Sequence, residues 1–212
     1  MDFMNVYDFD GTIFYPNCTF KFAIWCILRH PGLLFTYVPH MLKDAASYKL
    51  GKMEYHKFIR SFFSYMMKLK DFDKQVQAFW DKNEKNISAW YKAQKKDDDL
   101  IISGSPECLV QPIAERLGVN LKATLYDRET GVLYGNLMLG RSKSRTVIDM
   151  GMPVIDNFYS DSLSDTPIAL CAEKAFLVTK KATKPVPWPE VTDENLKKIK
   201  EKIDTGWRYI ED

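Results

Sequence analysis

A chain of 212 residues, 46% apolar and 27% charged, has the material for a packed core, in one large domain or a domain carrying a smaller insertion. Its most apolar stretch, residues 20–42, is interrupted by Lys21, Arg29, His30, Pro31, Pro39 and His40, which excludes the run of about 20 apolar residues that a membrane span needs. The formal net charge is +2, and no nucleic-acid partner is expected.

Residues 5–9 read as a short buried strand that ends in Asp8-Phe9-Asp10-Gly11-Thr12. Residues i and i+2 of a strand share a face, so Asp8 and Asp10 start out together with like charges. Two carboxylates rarely share a strand end without a cation or a shared proton. Residues 19–28 are apolar nearly all round, the pattern of a buried helix. Pro31-Gly32 breaks it, and helices are predicted over 33–48, 51–67 and 72–93, with Tyr55, Phe58, Ile59, Phe62 and Phe63 at helical spacing. No strand pattern interrupts this segment.

The pattern then changes. Residues 100–102 form an apolar run that ends in Ser103-Gly104-Ser105-Pro106, a helix start. A helix over 107–117 stops at Gly118. Strands are predicted over 121–126 and 132–139, then a helix over 141–150. A strand over 157–160 ends in Asp161, followed by a helix over 166–173 and a strand over 175–178. The tail beyond Pro185 reads as a proline-rich bend and a charged helix. Strands alternating with helices predict a parallel α/β sheet covered on both faces, which binds ligands beyond the carboxyl ends of its strands.

The small net charge hides a division. Residues 13–98 carry 15 Lys/Arg against 8 Asp/Glu and 18 of the 29 aromatic residues. The remainder carries 15 against 20. A basic, aromatic helical module inserted into an acidic α/β body is the reading. The boundaries predicted are a core of 1–14 and 97–212 and a helical cap of 15–96. Cys18, Cys26, Cys108 and Cys171 form no CxxC pair, so reduced thiols and a cytoplasmic location are expected. The N-terminal run, with Asp2, Asp8 and Asp10, does not match a signal peptide. His30, His40 and His56 lack the spacing of a zinc site.

The polar groups at the strand ends suit phosphoryl transfer. An aspartate can act as nucleophile, and a second carboxylic acid can protonate the leaving oxygen and then activate water. Ser103 and Lys143 offer a hydroxyl and an ammonium to phosphate oxygens. The crowded carboxylates Asp8, Asp161 and Asp165 call for a divalent cation, and all-oxygen ligation beside phosphate favours Mg²⁺.

The order Asp-Phe-Asp-Gly-Thr, Ser-Gly-Ser after a strand, a lysine, and Asp161-Ser162-Leu163-Ser164-Asp165 resembles the haloacid dehalogenase superfamily. The insertion after the first motif resembles its class with a helical cap at that point, and within it the phosphoserine-phosphatase-like subfamily. The resemblance implies a Rossmann-like parallel core and an aspartyl-phosphate intermediate. It implies Asp8 as nucleophile and Asp10 as general acid/base. Phosphate would be held by Ser103, Gly104, Thr12 and Lys143. Mg²⁺ would be held by Asp8, the main-chain carbonyl of Asp10, Asp161 and Asp165. Lys143 is chosen over Arg141 and Arg145 by register with the family pattern alone. Where phosphoserine phosphatases of the family carry a glutamate and an arginine for their substrate, this sequence has Asn17 and Phe62. Phosphoserine is therefore an unexpected substrate. Another small phosphate ester is expected, with an apolar or lipid phosphate and contact with a membrane surface both open. A phosphotransferase, or a binding protein on a phosphatase fold, also stays open, and the oligomeric state is undetermined.

Overall fold

The computed structural model describes residues 4–151, 155–197 and 199–200. Its centre is a seven-stranded sheet. Strand β1 (Met4–Tyr7) lies in the middle, between β2 (Leu100–Pro106) and β5 (Ile155–Ser160). Outside β2 lie β3 (Asn120–Tyr126) and then β4 (Leu133–Tyr134); outside β5 lie β6 (Ala172–Thr179) and β7 (Lys184–Pro187). The five inner strands run parallel, and the two edge strands run antiparallel to their neighbours.

This order places a topological switch at β1. The chain steps from β1 to β2 and β3 on one side, then returns to β5 and β6 on the other. The carboxyl ends of β1, β2 and β5 therefore converge on a single crevice, where open α/β sheets bind ligands. Asp8 and Asp161 directly follow β1 and β5, and Ser103 begins the second half of β2, which runs on through the predicted helix start to Pro106.

The remaining helices of the sheet region are α7 (Glu107–Leu117), α8 (Arg141–Asp149) and the single turn α9 (Thr166–Ala169). The helix predicted over 166–173 is cut short at Ala169. Residues from Ala172 onward are taken by β6, whose pairing with β5 overrides local helix preference. The strand predicted over 132–139 shrinks to Leu133–Tyr134, because Gly135 turns the chain at φ +66°. Leu137 is then free to bury at the crevice. Strand β7 falls where a proline-rich bend was predicted. It is an edge strand, the position where prolines are tolerated. Of the charged tail helix, residues 193–197 are helical, and 201–212 lie outside the described residues.

Between β1 and β2 the chain is helical: α1 (Cys18–Arg29), α2 (Leu33–Thr36), α3 (Val38–Lys49), α4 (Tyr55–Phe63), α5 (Phe72–Asn83) and α6 (Ala89–Gln94). The predicted 72–93 helix is interrupted by a 3-10 turn at Glu84–Asn86. Phe22, Phe79 and Trp80 of the insertion share one buried cluster with Tyr7, Phe9 and Ile101 of the sheet region. Trp80 packs edge-on to Phe9 and Phe14, and its indole N–H donates to Leu109 O at 2.8 Å. Trp90 and Tyr91 of α6 lie against Tyr7. The last two helices of the insertion thus pack onto the sheet body, whereas α1 and α4 reach the crevice.

Candidate active site

Beyond Tyr7 the chain leaves the sheet and closes a tight turn. Phe9 O accepts the N–H groups of Thr12, Ile13 and Phe14, and Gly11 N–H donates to Phe14 O. Gly11 adopts φ +83°, and a Cβ there would collide with the Asp161 carboxylate. Both facts require glycine. The turn lets the Asp161 side chain close over the end of β1.

Asp8 is buried, and Lys143 is more deeply buried beneath it. The Lys143 ammonium donates to Asp8 Oδ1 at 2.5 Å and to Asp165 Oδ2 at 2.8 Å. Ser160 Oγ also donates to Asp165 Oδ2, at 2.8 Å. Burial alone would pull the Lys143 ammonium down. The Asp165 and Asp8 carboxylates override it and hold the group charged, above its usual range. Burial pushes the Asp8 carboxyl up, against the attraction of Lys143. Arg141 and Arg145 are exposed on α8, so of the three neighbouring cations only Lys143 meets Asp8.

Thr12 is buried and ties two strand ends together. Its hydroxyl donates to Asp8 Oδ2 at 3.1 Å and accepts from Asp161 N–H at 2.9 Å. Ser103 is also fully buried, and its Oγ accepts from Ser105 N–H at 3.1 Å. Gly104 lines the crevice, and a Cβ there would come within 2.6 Å of Leu139 Cδ2.

Asp10 points toward the insertion. Its Oδ1 accepts from Cys18 N–H at 2.5 Å, and its Oδ2 accepts from Ser105 Oγ at 2.5 Å. Thr19 Oγ1 in turn donates to Ser105 Oγ at 2.6 Å. Burial is the largest influence on Asp10 and raises its carboxyl to about 6, with Ser105 and Cys18 acting in the opposite sense. The sequence carries no signal for Ser105 and Cys18 as partners of Asp10, or for Thr19 behind Ser105. Ser105 stands in the quoted Ser-Gly-Ser run, but only the fold reveals that its hydroxyl meets Asp10.

Part of this set forms the floor of a cavity of about 240 Å³, whereas Thr12 and Ser103, both expected to hold phosphate, are fully buried and are not among the residues that line it. Asp8, Asp10, Lys143, Asp161 and Asp165 line it. The facing wall is largely apolar, with Ile59, Phe62 and Phe63 from α4 and Leu137 and Leu139 from the segment before α8. Asn17 lines the mouth, and its Oδ1 caps α1 by accepting from Phe20 N–H at 3.0 Å. Lys143 is the only cation among the described residues lining the cavity.

Four carboxyl groups face one ammonium on this floor. Burial first, and the Asp8 charge second, raise Asp161 to about 7. Among the described residues no three acidic, cysteine or histidine side chains converge as a ready-made ligand set, and Lys143 is bonded to both Asp8 and Asp165. The excess negative charge and the hard oxygen donors nevertheless fit a divalent cation such as Mg²⁺.

The model of the haloacid dehalogenase-like hydrolase family matches residues 6–170. No curated protein matches the chain. Among solved structures, a protein of unknown function from Bordetella pertussis Tohama I is similar at TM-score 0.66 and 16% identity, over 81% of this chain and 87% of that one. A phosphoserine phosphohydrolase-like protein from Francisella tularensis subsp. tularensis SCHU S4 is similar at TM-score 0.53 and 13% identity, over 82% and 86%. A cytosolic 5'-nucleotidase IIIB bound to cytidine is similar at TM-score 0.53 and 13% identity, over 97% and 86%. At these identities the likeness is one of fold.

Proposed function

The chain belongs to the haloacid dehalogenase-like hydrolase family, and on that premise we propose that it is a Mg²⁺-dependent phosphatase acting on a small phosphate monoester with an apolar leaving group. The observation that carries the reading is the pairing of two carboxylates in opposite settings. Asp8 is fixed by Lys143 and Thr12, as a nucleophile needs. Asp10, two residues on, is held apart by Ser105 and Cys18 and raised to about 6, as a proton donor needs.

In this mechanism an Asp8 oxygen attacks phosphorus in line, forming an aspartyl phosphate as the ester P–O bond breaks. Asp10 delivers its proton to the departing oxygen. The Asp10 carboxylate then takes a proton from water, which attacks phosphorus and frees Asp8. Lys143 keeps Asp8 ionised and offers charge to the phosphate oxygens, beside the Ser103–Gly104 segment. Asp8, Asp161 and the main-chain carbonyl of Asp10 would hold Mg²⁺, with Asp165 supporting the set through Lys143. When bound, the cation would offset the crowded carboxylates and polarise the phosphoryl group.

The same cavity argues against phosphoserine. Asn17 is neutral and engaged in capping α1, and Phe62 belongs to the apolar wall. A substrate ammonium or carboxylate left unpaired there costs about 1–3 kcal/mol each. The proposal divides the chain into a core of 1–14 and 97–212 and a cap of 15–96, and its reduced thiols go with a cytoplasmic location.

A panel of aryl, alkyl and amino-acid phosphates, with and without an alcohol acceptor, tests this reading. Phosphate release should follow the apolar esters, vanish with excess chelator and return with Mg²⁺. Transfer to the acceptor in place of release would make the protein a phosphotransferase. Full turnover without metal would contradict the mechanism.

A further inference from the structure

Most aromatic residues of the insertion are buried or half-buried, yet its first three helices keep large apolar side chains in solvent. Phe20, Ile24 and Leu28 recur every four residues along α1 and so share one face. With Leu34 and Phe35 of α2 and Leu42 of α3, they stand between 44% and 81% exposed. Helix α2 packs against both α1 and α3, so these side chains belong to neighbouring elements of one lobe. Scattered exposed leucines need no explanation, but a cluster of this size marks an interaction surface.

The charge on the lobe identifies the partner. Residues 11–53 contain Lys21, Arg29, Lys43, Lys49 and Lys52, and a single acid, Asp44. Asp44 is half-buried and accepts from Ser61 Oγ of α4 at 2.5 Å, so its charge is engaged inside the lobe. Arg29, Lys43, Lys49 and Lys52 are exposed. Exposed Phe and Leu side chains interleaved with cations match the interface of an anionic bilayer, where the apolar groups enter the headgroup boundary and the cations meet lipid phosphates. A two-fold dimer would set this patch against itself and bring its cations together without acids to pair them.

We propose that the α1–α3 lobe is a docking surface for an anionic lipid membrane. No described helix is long and apolar enough to cross one, so the contact is peripheral. Helix α1 connects this surface to the cavity. Asn17 and Thr19, at its start, line the cavity, and the exposed stripe begins at Phe20. Docking through α1 brings the cavity mouth toward the lipid surface.

Flotation of the full chain with vesicles of phosphatidylcholine alone, or mixed with phosphatidylglycerol, tests the proposal. The protein should float with the mixed vesicles and not with the neutral ones, and raised salt should weaken the binding. Leu28→Ser and Phe35→Ser should each weaken it about tenfold or more, and Lys43→Gln with Lys49→Gln about thirtyfold. All these variants should keep the parent far-UV circular dichroism and its turnover of a soluble aryl phosphate. Absence of flotation, equal binding to neutral vesicles, or variants that bind like the parent would overturn the proposal. So would a dimer in light scattering that Phe35→Ser dissolves, because the occupant would then be a second copy.

Discussion

The floor and the wall of the cavity are built on different principles. The floor consists of polar side chains gathered at the ends of β1, β2 and β5 and on the start of α8, most of them fixed by directional hydrogen bonds. Lys143 bridges Asp8 and Asp165, Thr12 joins Asp8 to Asp161 N–H, and Ser105 and Cys18 hold Asp10. The wall is one helix face and a loop, held by packing: Phe62 stacks near Phe58, and Phe63 lies edge-on to Tyr126. A group fixed by directional bonds sets what reaction takes place. A group fixed by packing sets which leaving group is admitted.

Substitutions in the two regions should therefore differ in kind. The largest effect belongs to the floor. Asp8→Asn should cut kcat by roughly 10⁴-fold or more, because no other group replaces the nucleophile. Its thermal unfolding should be no earlier than the parent's, since the change removes a buried charge from a crowded site. A variant that keeps a tenth of the parent kcat would remove Asp8 from the mechanism.

Asp10→Asn should follow, at about 10²–10⁴-fold. The loss should be greater for an alkyl phosphate than for nitrophenyl phosphate, whose leaving group departs without a proton. Equal losses on both esters would assign Asp10 a positioning role.

The wall should give the smallest effect and the most selective one. Phe62→Ala should lower kcat/KM for an aryl phosphate about tenfold through KM, by the loss of apolar contact, and barely change that for the smallest alkyl esters. A uniform drop in kcat on every ester would show that α4 supports the floor and would break the division between the two regions.

The two regions also differed in how far the sequence exposed them. The floor was readable because its residues stand at changes of pattern. Asp8 and Asp10 interrupt an apolar run, Ser103 ends another, and Asp161 a third. The parallel sheet followed from the alternation of strands and helices. The links between floor residues were not readable, since hydroxyls such as Ser105 and Thr19 carry no periodic signal: Thr19 meets Ser105 across 86 residues and Ser105 meets Asp10 across 95, separations that only the fold closes. The wall was half readable. The aromatic spacing of residues 55–63 predicted a helix but not which of them meet the cavity, and Leu137 and Leu139 read as strand until Gly135 turned them into it. Edge strand β7 was hidden because its prolines mimic a bend.

The central claim is that the Asp8 carboxylate carries the phosphoryl group. The direct measurement is to quench the enzyme during turnover of an aryl phosphate, reduce it with borohydride and map the chain by mass spectrometry. An aspartyl phosphate is reduced to homoserine, and an ordinary carboxylate is not. Homoserine is expected at position 8 and nowhere else, and not without substrate. Conversion at Asp10 or Asp161, a phosphate ester on Ser103 or Ser105, or an unmodified chain under conditions where phosphoenzyme accumulates would contradict it.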